Sequence, residues 1–404
     1  EGVAIDAAGH VYVTGMTGSS ALSFPAKIGP DLTGNGMTDS FVTKLALDPT
    51  KPAVLDNIVY SGYIGGNRHD CYIYERNGDN YVSSGHIAVD AAGAAYISGQ
   101  TQSTEATFPA GSGFGNIPGA DQTYAGAWDA WITKVRADGK GFDYATFFGG
   151  AKEDLAFGMD VDAVGAAYFA AWTDSTEDTL EPVGGPDLTF NGNSDAMAGK
   201  LTPDGRAFAY LGYIGGVNGD AGMGAKVDAH GRLAVFGYTE SDATTFPVAV
   251  GPDLTLNSTE INKGDGFVTL LAADPTAPDV GANVVLSGYI GGSEWDETFW
   301  VDFGPDGALH VVGDTTSGPD TFPDGGGLAG RPSPRDTTAG GADAFVVKIA
   351  MPPAPAAAPA PPATATAGAP NPTSTLPAAP TPTPTPRPID GPAGRAFLPW
   401  ATRP

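Results

Sequence analysis

One phrase recurs along this chain and constrains its fold more than any other feature. An apolar run closes on Asp, a small polar turn follows, and a second apolar run leads to Gly: VAIDAAGHVYVTG from Val3 to Gly15, and IAVDAAGAAYISG from Ile87 to Gly99. Weaker copies surround Asp162, Asp228 and Asp302. A chain that repeats one short motif at long intervals must build similar units and pack them on one another. Each unit adds an apolar-Pro pair (Phe24-Pro25, Phe108-Pro109, the weaker Glu181-Pro182, Phe246-Pro247, Phe322-Pro323). A third run then opens on Asp and closes on Lys: Asp39 to Lys44, Asp129 to Lys134, Asp195 to Lys200 and Asp343 to Lys348, with Leu270 standing for the Lys after Asp265. A fourth run ends in Gly-Gly at Gly65-Gly66, Gly149-Gly150, Gly215-Gly216 and Gly291-Gly292, and an Asp follows each pair: Asp70, Asp154, Asp220 and Asp296.

Four short β-type runs per unit, bounded by Gly, Pro, Asp and Asn and without helical periodicity, predict an all-β fold. A lone four-stranded sheet leaves both faces uncovered, so the units are expected to stack as the blades of a β-propeller. Five units are visible, and the fifth stops at Ala350 without a fourth run. The chain opens on Glu1 with no initiator Met and no signal peptide, so an N-terminally truncated chain is expected. The number of blades in the ring stays open between five, six and seven.

These phrases resemble the bacterial seven-bladed β-propeller repeat family, the SBBP repeats. Ile87 to Gly99, Gly185 to Asp195 and Asp343 to Lys348 carry the likeness most closely, and it covers roughly residues 1–350. The resemblance implies a bacterial scaffold that is secreted or displayed at the cell surface. It brings no catalytic residues that can be placed on this chain.

Composition divides the chain into a repeat domain over 1–350, a disordered Pro/Thr/Ala-rich stalk over 351–390 and a short apolar segment over 391–404. That segment, with Phe397, Leu398 and Trp400, reads either as an attachment tag or as a frayed end; it is too short to span a bilayer. Net charge is −26, and the residues after 350 hold three Arg against one Asp, so the repeat domain is more acidic still. Nucleic acid and anionic lipid, which are held by clustered Lys and Arg, are excluded as partners. The expected partner is an extracellular protein or glycan, the expected state a monomer without a transmembrane segment. Cys71 is the only cysteine, so no internal disulfide forms.

An Asp repeated in every unit reads as a turn-forming acceptor, not a catalytic acid. His10, His230 and His310, with no triad partner in view, are not read as catalytic. Function on a repeated scaffold is expected where units differ. The stretch from Asn67 to His86, about twice as long as its equivalents, gathers Arg68, His69, Cys71, Tyr72, Tyr74, Tyr81 and His86. Its tyrosines could stack a carbohydrate or peptide, or pack on the rim of the blade; His69, Cys71 and His86 match no zinc spacing. No cofactor is required by these residues. Structural calcium is the one candidate, on three GPDLT loops followed by Asn: Asp31 with Asn35, Asp187 with Asn191, Asp253 with Asn257. The same residue types are also ordinary turn formers. No phosphate loop, nucleophile elbow or HExxH helix is present. The chain therefore reads as a non-enzymatic binding or structural module, for adhesion or for carbohydrate or protein recognition. The alternative is an extracellular polysaccharide lyase or hydrolase with its site at the mouth of the channel.

Overall fold

The computed structural model describes residues 2–51, 53–76, 79–83, 86–258, 263–277, 280–328 and 341–351, with the backbone alone for 54, 72–76, 79–83 and 280. The stalk and the apolar C-terminal segment lie outside the described residues. The chain is all-β. Four antiparallel sheets of four strands each follow one another, with strand order equal to chain order. The first holds β1 (Gly2–Ile5), β2 (Val11–Thr17), β3 (Asp39–Leu45) and β4 (Ile58–Ile64). A two-stranded ribbon, β5 (Tyr72–Arg76) and β6 (Asp79–Ser83), interrupts the series. The second sheet holds β7 (Ile87–Val89), β8 (Ala95–Thr101), β9 (Asp129–Val135) and β10 (Phe142–Phe148). The third holds β11 (Asp154–Val161), β12 (Ala167–Thr173), β13 (Asp195–Leu201) and β14 (Phe208–Ile214). The fourth holds β15 (Asp220–Val227), β16 (Leu233–Thr239), β17 (Asp265–Leu271) and β18 (Val284–Ile290). The fifth has three strands, β19 (Asp296–Phe303), β20 (Leu309–Thr315) and β21 (Asp343–Ile349).

Apolar side chains on both faces of each sheet explain the stacking. Four hydrophobic clusters each join two consecutive sheets: Tyr12, Val42 and Ile64 with Ile97, Trp131 and Phe147; Tyr96 and Ile132 with Phe169, Met197 and Leu211; Tyr168, Ala198 and Ile214 with Val235 and Phe267; Val268 and Ile290 with Val301, Val311 and Phe345. Each sheet therefore contacts its neighbours in the chain, as blades in a propeller do. Among the described residues three one-turn helices, α1 (Val54–Asn57), α2 (Glu177–Leu180) and α3 (Val280–Asn283), sit in loops, and no helix is long and apolar enough to cross a membrane.

Two sequence alignments shift. In the first four units the turn between strands one and two is closed by the amides of Asp6, Asp90, Asp162 and Asp228; in the fifth, Gly304 makes that bond, to Ala308. Asp302 thus stands two residues early, on the strand and exposed; Gly304 fills the usual Asp position, and Asp306 supplies the carboxylate instead, accepting the Ala308 amide at 3.2 Å and Lys348 at 2.6 Å. In the third unit Leu180, not Glu181, takes the place of the aromatic that recurs in the other units, since its amide closes on Thr176 as that of Phe108 closes on Thr104. Burial of an apolar side chain is what that position requires, and Leu180 is buried without a following Pro.

Candidate functional site

Turn aspartates behave as acceptors. Asp6 Oδ1 takes the amides of Ala8 and His10, Asp90 Oδ1 those of Ala92 and Ala94, Asp162 Oδ1 those of Val164 and Ala166, and Asp228 Oδ1 those of His230 and Arg232. The second oxygen receives a tyrosine hydroxyl two strand positions on: Tyr12 at 3.0 Å, Tyr96 at 3.1 Å and Tyr168 at 3.2 Å. The third-strand Lys completes the group, with the ammonium of Lys44, Lys134 and Lys200 each 4.7 Å from the centre of its tyrosine ring. Tyr12 and Tyr96 also donate to a backbone carbonyl of the next unit, Gly93 and Gly165, each at 3.1 Å. Unit four drops Tyr and Lys together, for Ala234 and Leu270, and Arg232 takes over Asp228 at 2.6 Å.

A second set of carboxylates lies at the opposite end of the strands, at each passage from one sheet to the next. Asp154 Oδ2 accepts the Gly150 amide at 2.7 Å and the Ser175 hydroxyl at 2.9 Å, and its Oδ1 accepts Thr173. Asp220 receives Gly216, Ser241 and Thr239 in the same way, and Asp70 receives Gly66, Ser103 and Thr101. Asp296 takes Gly292 at 2.7 Å and Ser317 at 2.7 Å. The partners form a Thr-x-Ser motif after the second strand that the sequence reading overlooks. It recurs at Thr101, Thr173, Thr239 and Thr315, and only its fixed offset from the strand marks it.

The third-strand Asp approaches this knot. Asp39, Asp195 and Asp265 accept a single backbone amide at 3.0 Å, from Asn35, Asn191 and Asn257, and their Oδ1 atoms are buried without a partner. The first Gly of each pair is where the two carboxylates converge: a methyl group on Gly65 would lie 2.3 Å from Asp39 Oδ1 and 2.7 Å from Asp70 Oδ2. Burial, reinforced by the facing carboxylate, pushes Asp129, Asp195 and Asp265 up to about 8. Burial likewise lifts Asp39, Asp154, Asp220 and Asp296 to about 6 and Asp70 to about 7. No substrate reaches these groups, which are at most 3% exposed. Asp129, Asp195 and Asp265 hold protons at neutral pH, and the set as a whole ties the turns at the sheet junctions.

The three Asp/Asn loops are closed by their own donors. The side-chain amides of Asn35, Asn191 and Asn257 point their nitrogen into the carboxylates of Asp31, Asp187 and Asp253, at 3.1 Å in the second case. The remaining oxygen takes the amide of Thr33, Thr189 or Thr255, each at 3.0 Å. The carbonyls of Asp31, Asp187 and Asp253 accept the amides of Tyr63, Tyr213 and Tyr289 in the fourth strand. Asp121 plays the same role in unit two, against Thr123 and Phe147, under a GADQT sequence that hides it from the GPDLT pattern. Among the described residues no group of three or more His, Cys, Asp or Glu side chains converges as metal ligands do.

The stretch after Gly66 is where the units differ most. Arg68 is exposed, and its amide is fixed on Ser103 at 2.9 Å. His69 Nδ1 meets Thr38 Oγ1 at 2.9 Å, and buried Cys71 donates to that same oxygen at 3.3 Å. Burial pushes the Cys71 thiol up to about 12, which makes it a poor nucleophile at neutral pH. Beyond it the chain rises into the β5–β6 ribbon. Its register pairs Tyr74 with Tyr81 and Tyr72 with Ser83, so the three tyrosine positions fall on one face of the ribbon, and Ile73 and Val82 on the other. His86 closes the stretch half-buried, and burial lowers its imidazole to about 4, leaving it neutral.

No family model matches the sequence, and no curated protein does. Among solved structures, the chain is similar to an exo-β-1,3-galactanase from Clostridium thermocellum, at 12% identity and a TM-score of 0.30, over 78% of this chain and 54% of that one. It spans about half the length of that enzyme. The polysaccharide lyase Uly1 aligns over 88% of this chain and 69% of its own length, at 10% identity and a TM-score of 0.32.

Proposed function

We propose that this chain is a bacterial propeller-type scaffold of the SBBP repeat kind, secreted or held at the cell surface, that recognises an extracellular glycan or protein without chemical turnover. The observation that carries this reading is the β5–β6 ribbon. Among the described residues it is inserted once into an otherwise repeated frame, and its register sets the Tyr72, Tyr74 and Tyr81 positions on one face. A row of aromatic side chains is what sugar rings and peptide backbones stack on and hydrogen-bond to. The strongly acidic surface keeps such a scaffold soluble and repels other polyanions. Structural calcium on the three Asp/Asn loops would require each Asn amide to turn its oxygen inward.

A glycan and peptide array probed with the whole chain, with and without calcium, tests the reading. Binding that is lost in the Tyr72→Ala, Tyr74→Ala, Tyr81→Ala variant, with unchanged melting, supports it. Binding that survives in that variant removes the ribbon from the site, and no binding in any condition removes the recognition role.

A further inference from the structure

At the Gly-Gly end of the strands, large aromatic rings replace small or polar residues in some units. The residue before the third strand is Thr38, Ser194 or Gly264 in units one, three and four, but Trp128 in unit two. The residue before the junction Asp is His69, Glu153 or Gly219 in units two to four, but Trp295 in unit five. Near the end of the second strand, Met16 and Gln100 give way to Trp172 and Tyr238 in units three and four. The first strands of adjacent sheets lie side by side, and the four rings form one band across them. Trp172 packs with Leu155 and Ala221, Trp128 and Tyr238 pack against that cluster, and the Tyr238 ring lies 5.1 Å from the ring of Trp295. Trp172 is the buried floor, while Trp128, Tyr238 and Trp295 are each partly exposed.

Carboxylates stand among these rings. The middle residue of Thr-x-Ser is Asp174 in unit three and Glu240 in unit four; the Asp174 amide is fixed on the Glu153 carbonyl at 3.1 Å and the Glu240 amide on the Gly219 carbonyl at 2.9 Å. Burial raises Glu153, with Asp174 adding to it, and burial also raises Asp174 and Glu240. Burial raises the Tyr238 hydroxyl too, reinforced by Glu297, Glu240 and Asp174 among its charged neighbours, which places these carboxylates around the band. The junction aspartates are supplied with backbone and hydroxyl donors, but among the described residues no donor meets the side-chain oxygens of Glu153, Asp174 or Glu240. Partly buried acceptors without donors are costly to a fold and suited to a ligand that brings its own. We propose that the band is a binding site for an uncharged saccharide, its ring faces lying on Trp128, Tyr238 and Trp295 and its hydroxyls donating to Glu153, Asp174 and Glu240. A sugar ring supplies both a flat apolar face and several donors, whereas uronates and sulfated sugars are repelled by the same carboxylates. The site is carried by side chains of units two to five and does not rest on the ribbon.

Isothermal titration calorimetry of the whole chain, with tryptophan emission followed in parallel, tests this with uncharged oligosaccharides of glucose, xylose and galactose and with an oligogalacturonate as the anionic control. The expected outcome is that at least one uncharged oligosaccharide binds and shifts the emission, and that the oligogalacturonate does not bind. Trp128→Ala and Trp295→Ala should each weaken binding about tenfold, the scale of one lost stacking ring. Partly buried rings also support the fold, so Glu153→Gln and Glu240→Gln serve as variants of unchanged shape; they should keep the parent melting temperature and still weaken binding. Failure of all three uncharged oligosaccharides to bind overturns the proposal. So does binding that all four substitutions leave unchanged, or a preference for the oligogalacturonate.

Discussion

At the scale of single residues, the carboxylates at the sheet junctions set the response to pH. Asp129, Asp195 and Asp265 titrate near 8 in the folded chain and near the ordinary carboxylate value when unfolded. Between those values the folded state binds more protons, so stability is fullest in mild acid and falls as pH rises through the folded values. Exposed turn aspartates such as Asp48 and Asp242, held low by the hydroxyl and amide of Thr50 and Thr244, have the opposite sign. Their contribution disappears only in stronger acid and does not offset the loss. Melting temperature followed from pH 5 to pH 8, roughly the span between the two sets of values, should fall steadily; a flat or rising curve rejects protonated junctions. The second Gly of each Gly-Gly pair gives a separate check. A methyl group on Gly150 would sit 2.7 Å from Ser175 Cβ, so Gly150→Ala should destabilise by about 2 kcal/mol in denaturant titration.

At the scale of elements, the units are tied by a few repeated bonds whose removal can be measured one at a time. Tyr96→Phe deletes the hydroxyl that reaches Asp90 and the Gly165 carbonyl of the next unit, and an unfolding cost of about 1–2 kcal/mol is expected. The three GPDLT loops satisfy their carboxylates internally, so chelation by EDTA should leave the melting temperature unchanged; a rise with added calcium would show that the Asn amides reorient around an ion. Strand runs, Gly-Gly ends and turn aspartates were legible in the sequence because each answers a local demand, for alternation, for space or for an acceptor. Thr-x-Ser was not, because its partner Asp lies on another strand and ordinary Thr and Ser advertise no distant bond. Asp302 was misplaced because periodicity fixed the strand but not the turn, and only the Gly304 to Ala308 bond sets the register. The ribbon was visible as an excess of length; that its three tyrosine positions share one face depended on pairing no local pattern encodes.

At the scale of the whole molecule, acidity and nearest-neighbour packing govern behaviour. A net charge of −26 repels itself within one compact body, so raising salt from a few millimolar toward physiological strength, where the Debye length shrinks to about 8 Å, should raise the melting temperature. Calorimetry in a salt series checks this. Among the described residues the extensive contacts run between adjacent sheets, which makes stability a sum of units and junctions.

The hydroxyls of Tyr12 and Tyr96 reach across the first two junctions to a main-chain carbonyl, at Gly93 and Gly165, and not to a side chain of the next unit. Such a tie reads the neighbour's path and ignores its identity. A duplicated or deleted unit would find the same acceptor waiting, so gene-level gain or loss of whole units can proceed without compensating substitutions, while the loops between them diverge freely.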